Sequence, residues 1–300
     1  MTLWIAFTLM AVVMQAVRTA AQKDLSRALS PMATTLTRYL YGIPFVALYL
    51  AVLLQTNTEW ANSFNFAQLN NARFLVFATV AAIVQIIATA FMVKMFTLKN
   101  FAIATSFAKT EAIQVALFAS VFFQDHLNVY GWVSVFIGVV GVLFVSGLKI
   151  GKPQSISSAT IFYGTLSGAL FAWTSLSLRE ASLSLDLPLV YSAALTLMYM
   201  VIIQTVICAI YITFKERSQW QKLMALKKRG LFVGATSALG SVGWFTAMSL
   251  QNPALVKTLG QVEFFITLGI THFYFKERIK WQEMVGIMCI FASILLILYV

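Results

Sequence analysis

Long apolar runs divide the chain, and these runs limit its fold more than any other feature of the sequence. A helix needs about 20 mostly apolar residues to cross a bilayer. By that criterion we predict about ten transmembrane helices: 2–20, 33–54, 74–97, 101–123, 129–148, 158–178, 189–213, 230–250, 254–274 and 281–299. The runs must be helical, because lipid cannot satisfy unpaired backbone groups and membrane strands alternate over about 10 residues. The sequence therefore predicts an all-α polytopic membrane protein.

The composition excludes other classes of protein. Only 10% of the 300 residues are charged, whereas 60% are hydrophobic. A soluble domain carries about 25% charged residues, so a water-soluble fold is excluded. The net charge of +11 favours loop cations that meet lipid headgroups over binding of nucleic acid. Cys208 and Cys289 lie in apolar runs without disulfide or metal-ligand spacing, so we expect packing roles, no metal and no cofactor.

The second half of the chain repeats the first. A shift of 152 residues places Glu111 on Glu263 without a gap from the third to the fifth span, and a shift of 157 places Pro31 on Pro188. The predicted repeats are residues 1–150 and 151–300. Because each repeat crosses the membrane an odd number of times, the second repeat should be inverted relative to the first. Inverted repeats are typical of secondary transporters, which bind their substrate near the membrane midplane.

The chain carries two short motifs, of which the second recurs in both halves. Arg38 in the second span precedes an apolar run, and the fourth span of each half ends with an acidic residue, Asp125 or Glu277, before a glycine-containing span. In this order the motifs resemble those of the drug/metabolite transporter superfamily, in its ten-helix EamA-like branch, over essentially the whole chain. The resemblance implies a multi-pass protein of the bacterial inner membrane. Many members carry a proline near the positions of Glu111 and Glu263, so their substrates do not carry over to this chain.

Charged side chains inside the spans are candidates for a substrate or proton site, because each costs about 2.5–3.5 kcal/mol near the bilayer centre. Six occur: Arg38, Lys94, Lys109, Glu111, Lys257 and Glu263. We hypothesise that Glu111 and Glu263 form a symmetry-related pair that couples proton release to substrate binding, since a carboxylate cannot hold a proton and a cationic group together. The alternative is a buried ion pair that holds helices together. Lys94 is close enough to its span end to reach the interface.

Helical phase predicts where these side chains point. At about 100° per residue, Lys109 and Glu111 point to nearly opposite sides of one helix. Lys257 and Gln261 share a face, because they are four residues apart, whereas Glu263 points away from that face.

Polar and aromatic residues in the middle of the spans are further candidates for the substrate pocket. The glutamines are Gln15, Gln85 and Gln114, and the tryptophans are Trp173 and Trp244. A tryptophan could stack on a substrate or face its cationic group. The alternative roles are structural, since a glutamine between membrane helices contributes about 0.6 kcal/mol to their association and a tryptophan packs well.

Small residues predict close helix contacts. Gly164 and Gly168, and likewise Gly230 and Gly234, are four residues apart, so each pair allows another backbone to approach.

Two membrane orientations stay open. Most of the 21 Lys and Arg, with Arg18 among them, fall in loops that follow odd-numbered spans. The positive-inside rule then places both termini outside the cytoplasm. The family resemblance implies that both termini are cytoplasmic.

Three functions compete. The first is a secondary active transporter, by resemblance an exporter or exchanger, of a small polar or amphipathic metabolite such as an amino acid, with protons as a coupling partner. The second is a channel-like or facilitative pore. The third is a membrane-embedded enzyme, for which 2 His and no clustered acids offer little chemistry. The repeat and the two glutamates favour the transporter.

Overall fold

The computed structural model describes residues 3–56, 66–96, 111–124, 126–145, 158–263 and 281–297, and every regular element in these ranges is a helix. In chain order the α-helices are α1 Leu3–Leu25, α2 Pro31–Leu40, α3 Ile43–Thr56, α4 Ala72–Phe96, α5 Glu111–Phe122, α6 Val129–Val145, α7 Ser158–Leu183, α8 Leu189–Lys215, α9 Gln219–Ala225, α10 Lys227–Leu250, α11 Pro253–Leu259 and α12 Trp281–Ile297. Short 3₁₀ helices occupy Phe66–Asn70 and Gly260–Val262. The prediction of an all-helical chain is confirmed for these residues.

Five of the described helical segments are long and apolar enough to cross a membrane: Leu3–Leu25, Pro31–Thr56, Ala72–Lys94, Leu189–Lys215 and Lys227–Leu250. Three shorter apolar helices are Glu111–Phe122, Val129–Phe144 and Met284–Leu296. The predicted spans 101–123 and 254–274 lie partly outside the described residues, so the total of about ten spans stays a prediction. Both the long and the short helices fit a multi-pass membrane protein.

Proline and a polar cap define where two of the helices begin. Pro31 is the first residue of α2, and the Ser30 side chain accepts a hydrogen bond from the Ala33 amide at 3.1 Å. At α11, Pro253 is first and the Asn252 side chain accepts from the Ala254 amide at 2.8 Å. Proline suits this position because the first amide of a helix has no acceptor within the helix. These caps allow tight turns before α2 and α11.

The second predicted span, 33–54, is interrupted. The α2 helix ends at Leu40 and α3 begins at Ile43, with a turn at Tyr41 and Gly42 between them. Pro44 follows directly and cannot donate the amide hydrogen bond that would continue α2. The interruption places the carboxyl end of α2, with Arg38, inside the bundle.

Two glycines of α10 lie against this turn. A Cβ added to Gly234 would be 2.4 Å from the Tyr41 carbonyl carbon and oxygen, and one added to Gly230 would be 2.5 Å from the Tyr41 ring. At distances below about 3 Å the neighbouring atom must move to admit a methyl group, and at Gly234 that neighbour is backbone. The predicted small-residue contact of Gly230 and Gly234 is confirmed.

Apolar side chains cover the outside of the helices, and many polar side chains are inside. Leu48, Phe136 and Phe214 are 63%, 61% and 82% exposed, as expected for residues that face lipid. Gln22 and Gln204 are buried between helices. The interior of this helical assembly is therefore polar enough to form a hydrophilic site.

The helices pack in a few extensive pairs. The α1 helix packs along α10, α4 packs along α7, and α6 packs along α12. The α8 helix contacts both α2 and α3, and α11 contacts α5 and α1. These contacts bring residues from opposite ends of the chain together.

Arg18 corrects one prediction. We assigned it to a loop, but α1 continues to Leu25, and Arg18 is buried with only 4% of its surface exposed. The helix is longer than the apolar run because polar residues near its carboxyl end, Gln22 among them, face other helices instead of water. Even without Arg18, most of the loop Lys and Arg residues follow odd-numbered spans.

Candidate functional site

An ion pair joins α5 to α11. Lys257 Nζ lies 2.8 Å from Glu111 Oε1, and the two side chains are 14% and 15% exposed. Ser175 on α7 places its hydroxyl oxygen 3.5 Å from the same carboxylate oxygen. At this degree of burial neither charge is fully solvated, so each one needs the other.

Trp244 of α10 contacts the same lysine. The Lys257 ammonium lies 4.5 Å from the centroid of the indole ring, which is a cation–π geometry. Gly260 allows this arrangement, because a Cβ there would be 2.7 Å from the indole Cη2 atom. The lysine is therefore positioned by a carboxylate and by an aromatic face.

Gln15 of α1 connects this group to the second glutamate. Trp244 Nε1 donates a hydrogen bond to Gln15 Oε1 at 3.0 Å, and Gln15 Nε2 donates to Glu263 Oε2 at 3.3 Å. The indole can only donate and an ionised carboxylate can only accept, so the two partners fix the orientation of the amide. We call the connected residues the glutamate network: Gln15, Glu111, Trp244, Lys257 and Glu263.

The position of Glu263 corrects the predicted helical phase. A continuous α-helix would place Glu263 about 120° from Lys257, but the chain forms a 3₁₀ turn over Gly260–Val262. A 3₁₀ helix rotates about 120° per residue, which brings Glu263 within about 60° of Lys257. The contacts separate the two residues: Glu263 joins the network through Gln15, whereas neither polar atom of the Gln261 amide has a hydrogen bond. Its amide oxygen lies 2.5 Å from where a Gly138 Cβ would be, so it packs against α6.

Trp173 and Lys94 stand apart from the network. Trp173 packs among Phe118, Phe122 and Phe123, with ring centroids between 5.5 and 6.0 Å, which favours its packing role. Lys94 donates to the Tyr163 hydroxyl at 3.1 Å near the end of α4. Lys109, and with it the predicted phase relative to Glu111, lies outside the described residues.

Arg38 and Gln85 belong to a second polar region. Arg38 Nη1 donates to Thr89 Oγ1 at 3.3 Å, and Gln204 Nε2 donates to Gln85 Oε1 at 2.7 Å. Both Arg38 and Gln85 line a cavity between α2, α4, α8 and α10. The structure therefore separates the predicted site residues into the glutamate network and this cavity.

Sequence reasoning missed two polar residues of α1, Arg18 and Gln22. Both are buried, and Arg18 interacts electrostatically with Arg38 and with Glu263. A signal was present, because Gln15, Arg18 and Gln22 are spaced by three and four residues and share one face of a helix. This shared face points into the bundle.

A family model matches both halves of the chain. The model of the EamA-like transporter family matches residues 2–147 and again residues 159–299. The chain belongs to the EamA-like transporter family. Its members are membrane transporters of small solutes, so this protein is an integral multi-pass membrane protein of that type, with a small-molecule substrate and the lipid bilayer as partners. The resemblance noted in the sequence is confirmed.

Other comparisons concern the fold alone. A crystal structure of a protein is similar to this chain with a TM-score of 0.69 and 12% sequence identity, and the alignment covers 98% of this chain and 95% of the other. At this identity the likeness shows a shared fold and nothing about function. No curated protein sequence matches the chain.

Proposed function

We propose that this EamA-like protein is a secondary active transporter that exports or exchanges a small polar or amphipathic metabolite, such as an amino acid, by alternating access. One observation carries the proposal. Glu111 and Glu263 are separated by the repeat shift of 152 residues, and both are joined to a single network through Lys257, Trp244 and Gln15. Intramembrane charges that converge in this way are typical of substrate and ion pathways.

The two predicted repeats, 1–150 and 151–300, support alternating access. The family model matches each half separately. Helix contacts also correspond between the two repeats. The contact of α1 with α10 corresponds to that of α7 with α4, and the contact of α5 with α7 corresponds to that of α11 with α1. In the contacting pairs α6–α12 and α5–α11, the two helices are equivalent positions of the two repeats. These are the relations expected from a two-fold axis, and inverted repeats related in this way can rock about a central site.

The ion pair between Glu111 and Lys257 is the element whose state would change during transport. A proton on Glu111 removes the charge that holds Lys257, and a cationic group of a substrate can compete with Lys257 for the same carboxylate. Either event weakens the link between α5 and α11, because an unpaired charge at low exposure is unfavourable. Proton binding and substrate binding thereby exclude each other, which gives exchange.

Flux in proteoliposomes tests the proposal. The full-length protein would be reconstituted with a labelled mixture of small amino acids, and the initial flux would be measured with and without an imposed pH gradient. We expect saturable flux that the gradient increases. Flux that does not saturate and ignores the gradient would overturn the proposal and identify a facilitative pore.

A further inference from the structure

The segment between α8 and α10, which contains α9, carries a dense cluster of positive charge. Its basic side chains are all exposed: Lys215, Arg217, Lys222, Lys227, Lys228 and Arg229. We call these six residues the basic surface. The one acidic residue between Lys215 and Arg229 is Glu216. Like charges at this density repel one another, so an anion that binds here would lower the electrostatic energy of the folded protein.

The carboxylates that meet this region already have partners. Glu216 accepts a hydrogen bond from the Ser30 hydroxyl, and Asp24 forms an ion pair of 3.0 Å with Arg229. Among the residues that the structure describes, the side chains of the other five cations have neither an ion-pair partner nor a hydrogen bond. The protein therefore leaves most of the basic surface without a counter-charge, although Glu216 is in the same segment.

The basic surface lies at the ends of two helices that are long and apolar enough to cross a membrane. The span Leu189–Lys215 ends at its first lysine, and the span Lys227–Leu250 begins at its fourth. Trp220 of α9 is half-buried, and its Nε1 donates to Thr213 Oγ1 at 3.1 Å. Tryptophan with an apolar body and a paired N–H is typical of the membrane–water interface. These positions place the cations at the depth of the lipid headgroups.

Exposed apolar side chains adjoin the basic surface on its membrane side. Phe214 directly precedes Lys215 at the end of α8, and Leu231 and Phe232 follow Arg229 closely in α10. All three are exposed. A free phosphate ion would contact the cations alone, whereas a phospholipid carries a phosphate and hydrocarbon chains in one molecule. The neighbouring cations and apolar side chains together match the second chemistry.

We propose that the basic surface binds the headgroups of anionic phospholipids in the leaflet at which α8 ends and α10 begins. The phosphates neutralise the lysines and arginines, and the acyl chains contact Phe214, Leu231 and Phe232. Each basic side chain near an anionic membrane surface adds to this attraction. The surface is preformed, because Leu223 of α9 is buried and its carbonyl oxygen accepts a hydrogen bond from the Tyr41 hydroxyl at 3.1 Å.

Thermal unfolding of the full-length protein in mixed micelles tests the proposal. The Tm would be measured in a non-ionic detergent with increasing phosphatidylglycerol, with phosphatidylcholine of the same acyl chains, and with glycerol phosphate. We expect phosphatidylglycerol to raise the Tm by a few degrees, phosphatidylcholine by at most about half as much, and glycerol phosphate not at all. The difference between the two lipids should shrink in about 1 M salt, which screens charges beyond about 3 Å.

Variants of the basic surface assign the response to these residues. The triple variant Lys222→Gln, Lys227→Gln and Lys228→Gln should need about tenfold more phosphatidylglycerol for the same rise in Tm, each rise being taken from the lipid-free value of that variant. The triple variant with arginine at the same positions keeps the charge and should respond as the wild type does. Arg73→Gln, which removes an exposed cation of α4, should also respond as the wild type does.

Three results would overturn the proposal. The first is an equal response to the two lipids, and the second is an unchanged phosphatidylglycerol midpoint in the triple glutamine variant. The third is a response to glycerol phosphate as large as that to phosphatidylglycerol, which would identify a site for free phosphate compounds instead. The inference is independent of the proposed transport function, because lipid binding needs neither a gradient nor the glutamate network. Its failure is therefore distinct from a failure of gradient-driven flux.

Discussion

Lys257 and Glu111 form an ion pair of 2.8 Å between α11 and α5, two helices that the repeat equates with each other. The shift of 152 residues places Lys257 on Thr105, so the sequence provides this lysine in only one half. The two glutamates are therefore chemically different. Glu111 faces an ammonium group, whereas Glu263 accepts a hydrogen bond from the Gln15 amide. Loss of a proton or a charge has different consequences at the two positions.

The ion pair predicts a strong energetic coupling between its two residues. Glu111→Gln and Lys257→Met should each lower the free energy of unfolding by about 2–4 kcal/mol, because each removes the ion-pair partner of a charge that is largely shielded from water. The double variant should lose much less than the sum. Chemical denaturation in detergent of the four proteins measures the coupling.

A matched pair elsewhere provides the control. Arg229 and Asp24 are 65% and 51% exposed, so the same cycle there should give a coupling of at most about 1 kcal/mol. If the losses at Glu111 and Lys257 were additive, the two residues would not form a pair in the folded protein.

Trp244 is predicted to act through both its indole N–H and its ring. Trp244→Phe removes the hydrogen bond to Gln15 and should cost about 0.5–1.5 kcal/mol of stability, since the ring still faces Lys257. Trp244→Leu removes the aromatic face and should cost at least about 0.5–2 kcal/mol more. The free energy of unfolding of both variants, measured with and without Lys257→Met, separates the contribution of the indole N–H from that of the ring.

The difference in the free energy of unfolding between Trp244→Phe and Trp244→Leu should be smaller when Lys257 is replaced by methionine. Trp173 is the control, because it packs among phenylalanines. The difference in the free energy of unfolding between Trp173→Phe and Trp173→Leu should not depend on Lys257. An unchanged difference at Trp244 in the Lys257→Met background would exclude the cation–π contact.

Gly234 is predicted to tolerate no side chain. Gly234→Ala places a methyl group 2.4 Å from the Tyr41 backbone, which must move, so we expect a loss of about 1–3 kcal/mol. Gly240→Ala on the same helix has its nearest contact at 3.4 Å, with Met14 Cβ, and should be nearly neutral. The midpoint temperatures of thermal unfolding should be measured for Gly234→Ala and Gly240→Ala. Equal midpoints would contradict the close approach of α10 to Tyr41.

Much of the fold follows from patterns that depend on the bilayer. Apolar length and the glycines at 230 and 234 predict helices and a close contact, because these properties act locally or through one simple packing rule. The break at Tyr41 and Gly42 and the 3₁₀ turn at Gly260–Val262 were not predicted, since both need knowledge of the neighbouring helices. The 3₁₀ turn lies directly before Glu263, which accepts a hydrogen bond from Gln15.

The candidate site was predictable in its charges but not in its connections. Glu111, Glu263 and Lys257 are conspicuous because charge is costly inside a span. Their link through Gln15 and Trp244 depends on α1 packing along α10, which no short-range pattern specifies. Arg18 was assigned to a loop because polar residues near a span end are typical of the interface, whereas here they face a polar interior.

The central claim is that the glutamate network couples a gradient to solute movement. Its most direct test is gradient-driven flux in proteoliposomes for the wild type, Glu111→Gln, Glu263→Gln and the exposed control Asp24→Asn. We expect both glutamine variants to lose the acceleration by the pH gradient, by at least tenfold in initial rate, while Asp24→Asn retains it. Wild-type gradient-driven flux in both glutamine variants would contradict the account.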